Sequence, residues 1–293
     1  MTSDQLRAFL AVVERKNLTR AARALRMSQP GLTRQLQSLE RELGARLLVR
    51  TPRGVKPTEA GERFSAYARR ALDDLRAGKA ALDALRDEPR GAVAVGAIFT
   101  VGAALMPQAV KQIRARYPEV RLTLLHGEAD ALERELASGA LDLAVLTLPM
   151  KHLDLVAQRL WQEDLVVAAP KGHPLGKLKR PVELGELAGV PLLSTRAGAA
   201  KRAVEVAFEA RGERPEFVVE TDSSEALARL VEQGVGVAVV PGVMAGPERR
   251  FDVLSIAPPG LKRQIALAHR GEPYLTAAAR AVREVLVASL RKG

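Results

Sequence analysis

The apolar period of this chain changes once, near Gly91, and that change constrains the fold more than any other feature. Upstream, apolar residues recur at spacings of three and four, the pattern of amphipathic helices. Downstream, short continuous apolar runs take over: Val93–Phe99, Val120–Leu125, Leu143–Leu148, Leu165–Ala169, Pro191–Leu193, Phe217–Val219, Val235–Val240 and Ile265–Ala268. Helical stretches lie between them: Ala103–Tyr117, Asp130–Ser138, Ala200–Arg211, Ser223–Gln233 and Pro273–Leu290. Buried short strands alternating with helices predict an α/β region with a mostly parallel sheet.

Three helices are predicted within residues 1–58. Ser3 is placed to cap the first, with Leu6, Phe9, Leu10 and Val13 facing inward. Asn17 and Thr19 can cap a second, with Leu18, Ala21, Ala22 and Leu25 inward. Ser28 is a good N-cap for the third, and Pro30 suits a first turn, where its missing N–H is not needed. Leu32, Leu36, Leu39 and Leu43 form the inner stripe of that helix, and Gly44 suits its stop. Leu47–Val49 reads as a strand, Thr51–Gly54 as a tight turn and Val55–Pro57 as the return strand. The whole reads as a helix-turn-helix followed by a wing.

The outer face of the third helix carries Gln29, Thr33, Arg34 and Gln37 beside the cap Ser28. Gln can bond adenine with two hydrogen bonds, Arg can reach guanine or phosphate, and Thr can touch a thymine methyl. Arg50, Arg53 and Lys56 sit where a wing meets backbone phosphates. Any solvated helix face carries such residues, so the charge distribution matters. Residues 1–58 hold 12 Arg and Lys against four acids, 59–90 seven of each, and 91–293 hold 26 against 23. A small module with most of the chain's net +11 suits a polyanionic partner.

Thr58 can cap a long helix from Glu59 to about Arg86. Phe64, Ala68, Ala71, Leu75, Gly78, Leu82 and Leu85 alternate spacings of four and three, a coiled-coil seam. The same pattern also serves a helix packed on its own chain. Asp87–Gly91 reads as a hinge.

The chain has no Cys, which excludes disulfides, thiolate metal sites and thiol nucleophiles. Its four His show no ligand spacing, so neither a metal nor a cofactor is expected. There is no GxGxxG and no phosphate-binding loop motif. No run reaches the roughly 18 apolar residues of a membrane helix, and the N-terminus lacks the charged-then-apolar order of an export signal. A cytoplasmic protein is expected.

Ala21-Ala22…Leu25, Ser28 to Glu40, Leu43 to Arg50 and Thr58 to Gly61 together resemble the DNA-binding module of LysR-type transcriptional regulators, with Gly31 and Val49 as mild departures. Leu136…Gly139-x-x-Asp142-Leu143-Ala144, Leu165–Ala168…His173-Pro174-Leu175 and Glu232-x-Gly234…Pro241 are similar to that family's effector domain. The resemblance implies a winged helix-turn-helix at 1–58, a dimerisation helix and hinge at 59–90, and a two-lobed α/β domain like type 2 periplasmic binding proteins at 91–293. Lobe 1 would take about 91–161 and 269–293, and lobe 2 about 162–268, with crossovers near Trp161–Glu163 and Ala268–Arg270. It further implies a bacterial, non-enzymatic regulator that binds double-stranded promoter DNA as a dimer or tetramer, contacts RNA polymerase and responds to a small organic anion.

Ligands of α/β sheets bind beyond strand carboxyl ends. Thr100, Thr147, Ser194 and Thr195 are the hydroxyl candidates there, with His126, Arg196 and Thr221 beside them. The run Gly96–Pro107 is similar to the peroxide-sensing branch of the family, but that branch uses a thiol and this chain has none. Ser194, His126 and Asp142 are the residue types of a hydrolytic triad, yet no GxSxG elbow accompanies them. An enzyme or a solute-binding protein on the α/β region remains the competing reading.

Overall fold

A computed structural model describes all residues except 53, 84–88, 247–248 and 292–293. Arg53, Leu85 and the hinge residues Asp87 and Glu88 therefore lie outside the described residues. The chain forms two compact units, Met1–Leu85 and Arg86–Gly293.

The first unit contains α1 (Ser3–Arg15), α2 (Leu18–Ala24), α3 (Gln29–Leu43), the hairpin β1 (Leu48–Thr51) and β2 (Gly54–Pro57), and α4 (Glu59–Asp83). The cap of α1 is Thr2 rather than Ser3: Thr2 Oγ1 accepts from Gln5 N, and Gln5 Oε1 accepts from Thr2 N at 2.7 Å. Asn17 caps α2 and Ser28 caps α3 through their side-chain oxygens. Leu32, Leu36 and Leu39 are buried, but Leu43 at the frayed end is 37% exposed. Phe9, Val12 and Ala21 complete the core beneath them.

The link from α3 to the wing is held by Glu40, whose carboxylate accepts the N–H groups of Leu47 at 2.7 Å and Leu48 at 3.0 Å. Thr58 donates to the Arg46 carbonyl at 2.7 Å and accepts from Gly61 N at 3.0 Å, so it caps α4 and ties it to the same link. A Cβ at Gly61 would lie 2.0 Å from the Leu47 carbonyl oxygen, so only glycine fits this crossing.

The first half of the expected coiled-coil seam faces inward. Ala68 and Leu72 are buried in the winged-helix core, with Phe64 and Ala71 packed against it. The rings of Phe9 and Phe64 lie 5.5 Å apart. Phe64, Ala68 and Ala71 of the expected seam thus pack against their own domain. Leu75 and Leu82 remain 60% and 68% exposed.

The second unit runs β3 (Gly91–Ile98), α5 (Phe99–Ala104), α6 (Met106–Arg116), β4 (Val120–Gly127), α7 (Ala129–Ala137), β5 (Leu143–Leu148), β6 (Val156–Pro170), β7 (Leu192–Thr195), α8 (Ala199–Glu209), β8 (Phe217–Thr221), α9 (Ser224–Glu232), β9 (Val237–Pro241), β10 (Phe251–Ser255), β11 (Leu261–His269) and α10 (Ala277–Leu290). Strand order is β4-β3-β5-β11-β6-β9-β7-β8, with β10 also on β6. The sheet is mixed rather than mostly parallel. β3 pairs in parallel with β4 and β5, and β7 with β8 and β9, while β6 and β11 run antiparallel to their neighbours.

Two lobes are visible in the cores. One gathers Val95, Leu143 and Leu146 with Leu286 of α10; the other places Val167 and Phe208 on one side of the sheet and Ala168 and Leu227 on the other. The long strand β6 passes between them, with Leu160 and Trp161 in the first core and Leu165 in the second. The return on β11 differs: Ile265, Leu267 and Ala268 already belong to the first core, whereas Leu261 packs on the second. The second crossing therefore falls near Arg263, not at 268–270, and the lobe boundary moves with it.

Strand β10 and the first half of β6 were not expected, because their burial alternates along the chain and leaves no continuous apolar run. The helix expected over Ala103–Tyr117 is two, α5 and α6, with Pro107 in the first turn of α6. Among the described residues no helix is long and apolar enough to cross a membrane.

Replacing Glu40 by Ala should lower the stability of the DNA-binding unit by about 1–3 kcal/mol, because two backbone donors lose their acceptor. Denaturant unfolding of the full chain, followed on the first unit's transition, checks this. In the second unit His269 is 4% exposed and its Nδ1 accepts the Gly271 N–H at 3.0 Å. Burial, reinforced by Arg283 and opposed by Glu272, holds its imidazole below the ordinary value. The unfolded chain therefore takes up this proton first. The His269 contribution should be complete above about pH 6.5 and fall away as pH drops through that value. Unfolding midpoints of wild type and His269→Gln across this range should converge toward acid.

Candidate DNA-binding face and effector cleft

On α3, Gln29, Arg34 and Gln37 are exposed and Thr33 is half-buried, so the outer face is presented as expected. Thr19 of α2 donates to Gln29 Oε1 at 3.3 Å and orients it. Ser28 accepts from Gly31 N at 3.2 Å and is occupied as the cap. Arg50 on β1 and Lys56 on β2 are exposed. Their strands pair with Arg50 opposite Val55 and Val49 opposite Lys56, which brings the two cations onto one small hairpin. Among the described residues neither these two nor Arg34 has an acidic partner within ion-pair distance.

In the second unit a cavity of about 270 Å³ opens between the lobes. Of the residues singled out in the sequence, Thr100, Thr147, Thr195 and Arg196 line it. Ser194, Thr221 and His126 do not. Ser194 is buried within β7; Thr221 accepts from Ser223 N at 3.2 Å. The His126 ring lies over Gly102, where a Cβ would come within 2.5 Å of Nε2, and it faces a separate cavity with Phe99 and Asp222.

Several charged cleft residues were not anticipated: Glu128, Asp130, Lys201, Arg202 and Arg263. Glu128 and Asp130 follow the end of β4, and Lys201 and Arg202 lie in the first turn of α8. The strand-end rule reaches them if it is extended by one helical turn. Arg263 gave no such signal, since it sits mid-strand at the crossing that was misplaced.

Arg263 and Glu163 form the one charged pair deep in the cleft floor, directly opposed across β11 and β6. Their side chains are 6% and 10% exposed, and Arg263 Nε donates to Glu163 Oε1 at 2.7 Å. Arg263 also donates to Thr100 Oγ1 at 3.0 Å, and Glu163 Oε2 accepts Val243 N at 3.1 Å. Burial lowers the guanidinium from its ordinary value while Glu163 opposes the shift.

Elsewhere the charges are partly matched. Asp130 binds Lys151, whose hydrogen bond holds it below the usual carboxylate range. Lys201 binds Glu220, which raises its ammonium above the ordinary value. Arg196 and Arg202, among the described residues, have no carboxylate within ion-pair distance. The first turn of α8 has no acidic residue and no side-chain cap, so its amide groups point at the cavity unoccupied by protein acceptors.

A basic winged helix-turn-helix and a separate two-lobed domain, whose interlobe cleft carries charged and hydroxyl side chains, define a DNA-binding transcriptional regulator with an effector-binding domain. Residues 3–62 match the bacterial regulatory helix-turn-helix protein of the lysR family, and residues 86–291 match the LysR substrate binding domain. The chain belongs to the LysR family. It is 34% identical over 295 residues to a probable hydrogen peroxide-inducible genes activator of Streptomyces viridosporus, covering 98% of this chain and 93% of that one. A full-length OxyR variant from Pseudomonas aeruginosa superposes with a TM-score of 0.76 at 26% identity, over 99% and 95% of the two chains. Full-length CbnR in complex with its target DNA gives 0.59 at 27% identity, over 97% and 100%.

Glu163→Gln should destabilise the second unit by about 3–5 kcal/mol, since it leaves a buried guanidinium without its counter-charge. Thr100→Val should cost less, about 1–2 kcal/mol, because one of the guanidinium's hydrogen bonds is lost. Urea unfolding of the two variants checks the order.

Proposed function

We propose that this chain binds promoter DNA through Gln29, Thr33, Arg34 and Gln37 on bases and Arg50, Arg53 and Lys56 on phosphates, and that a small organic carboxylate in the interlobe cleft alters the outcome. The observation that carries the effector reading is the acid-free first turn of α8 beside Arg196 and Arg202. An anion there meets backbone donors, helix dipole and two cations together. The protein works as a dimer or tetramer, and the exposed Leu75 and Leu82 on the outer part of α4 supply the self-contact. It acts in the cytoplasm, contacts RNA polymerase and catalyses no reaction.

DNA footprinting at increasing salt, with and without a panel of carboxylates, tests the reading. Gln29→Ala should lose about 1–3 kcal/mol on the cognate site and little on random DNA. Lys56→Ala should weaken both and flatten the salt slope by about one. Equal losses on both DNAs for Gln29→Ala would remove the base-reading role; a footprint indifferent to every carboxylate would remove the effector.

A further inference from the structure

The charged residues of the cleft divide into matched and unmatched sets. Asp130, Lys201 and Arg263 each hold an opposite charge of the protein. Glu128 does not. It stands at the start of α7, yet its side chain makes no capping hydrogen bond. Among the described residues its carboxylate has no hydrogen bond or ion pair, and the charge that acts on it is that of another acid, Asp130. Burial, reinforced by Asp130, pushes its carboxyl above the usual range. A half-buried carboxylate without a counter-charge is costly unless something else supplies one.

Its position says what that should be. Glu128 Oε2 lies 3.7 Å from the point a Cβ would occupy on Gly198, the residue that opens α8. Glu128 thus reaches from the first lobe to the amide end of α8 in the second. A plain carboxylate bound at that helix end would bring two negative groups together. A ligand with a cationic nitrogen next to its carboxylate resolves the conflict: the carboxylate takes the α8 amides and Arg196 or Arg202, and the nitrogen takes Glu128. The Thr147 hydroxyl, in a residue only 4% exposed, also lines this cavity and has no protein partner among the described residues.

Resting on the cleft being the effector site, we infer that the effector is an α-amino carboxylate, held by Glu128 through its ammonium group and by the α8 end through its carboxylate. The short distance between the two anchoring points favours nitrogen and carboxylate on one carbon over a longer spacing. A cavity of about 270 Å³ leaves room for a side chain of modest size.

Isothermal titration calorimetry of the full-length protein tests this, with the proteinogenic L-amino acids, their deaminated acids and their decarboxylated amines as probes. At least one amino acid should bind, and removing either its amine or its carboxylate should weaken binding about tenfold or more. Glu128→Gln should abolish the preference for the amine while the deaminated acid binds as well as before or better. An unchanged thermal midpoint shows that the substitution leaves the fold intact. A deaminated acid that binds wild type as tightly as the amino acid, or an amine preference that survives Glu128→Gln, overturns the inference and leaves the carboxylate reading standing. Binding by none of the acids or amino acids overturns both.

Discussion

The Arg263–Glu163 pair is the interaction on which the second unit depends. The two lobes have separate hydrophobic cores, so burial alone holds each lobe together but does not position one against the other. Among the described residues β6 and β11 are the strands that pass from core to core, and this pair sits where they cross. Glu163 also accepts an amide N–H from the second lobe, and Arg263 donates to a hydroxyl of the first. A buried pair of this kind adds little net stability over an apolar substitute, but removing one member is severe. It therefore acts as a registration device: only one alignment of the crossing strands satisfies both charges. Arg263 also lines the interlobe cleft, so occupancy of the cleft and the alignment of the lobes draw on the same group.

The first unit shows the same economy on a smaller scale. Glu40 lies on α3, Thr58 just ahead of α4 and Gly61 within it, yet all three converge on the short link between α3 and the wing. The carboxylate satisfies two amides, the hydroxyl caps α4 and binds a carbonyl, and the glycine leaves room for the backbone of the link. A recognition helix can place side chains on base edges only if its own frame is rigid, and these contacts supply that frame without using any residue of the outer face.

An effector can change the state of a regulator only if it binds one arrangement more tightly than another. On the proposed reading, the charge distribution of the cleft meets that requirement. Its unmatched acid, Glu128, belongs to the first lobe, and its unmatched cations, Arg196 and Arg202, belong to the second. A ligand that satisfies both gains more when the lobes approach than when they part. The coupling this produces is limited by the difference in those contacts, not by the total affinity.

Local chemistry made much of this protein legible in its sequence. The caps Asn17 and Ser28, the buried stripe Leu32, Leu36 and Leu39 of α3, and the strand-end positions of Thr100, Thr147 and Thr195 follow from spacing and residue type, because they depend on neighbours within a few positions. The outer face of α3 was legible for the same reason. What required the tertiary structure was every property set by residues far apart in the chain. Phe64, Ala68 and Ala71 fit a seam equally well whether the partner is another chain or α1, and only packing shows that it is α1. Ser194 and Thr195 are adjacent, yet one is buried in β7 and the other lines the cleft. Arg263 gave no sign of its role, because it meets Glu163 across a strand pairing that joins residues a hundred positions apart. Periodicity reports which face of an element is apolar; it does not report what that face, or an isolated charge within it, will meet.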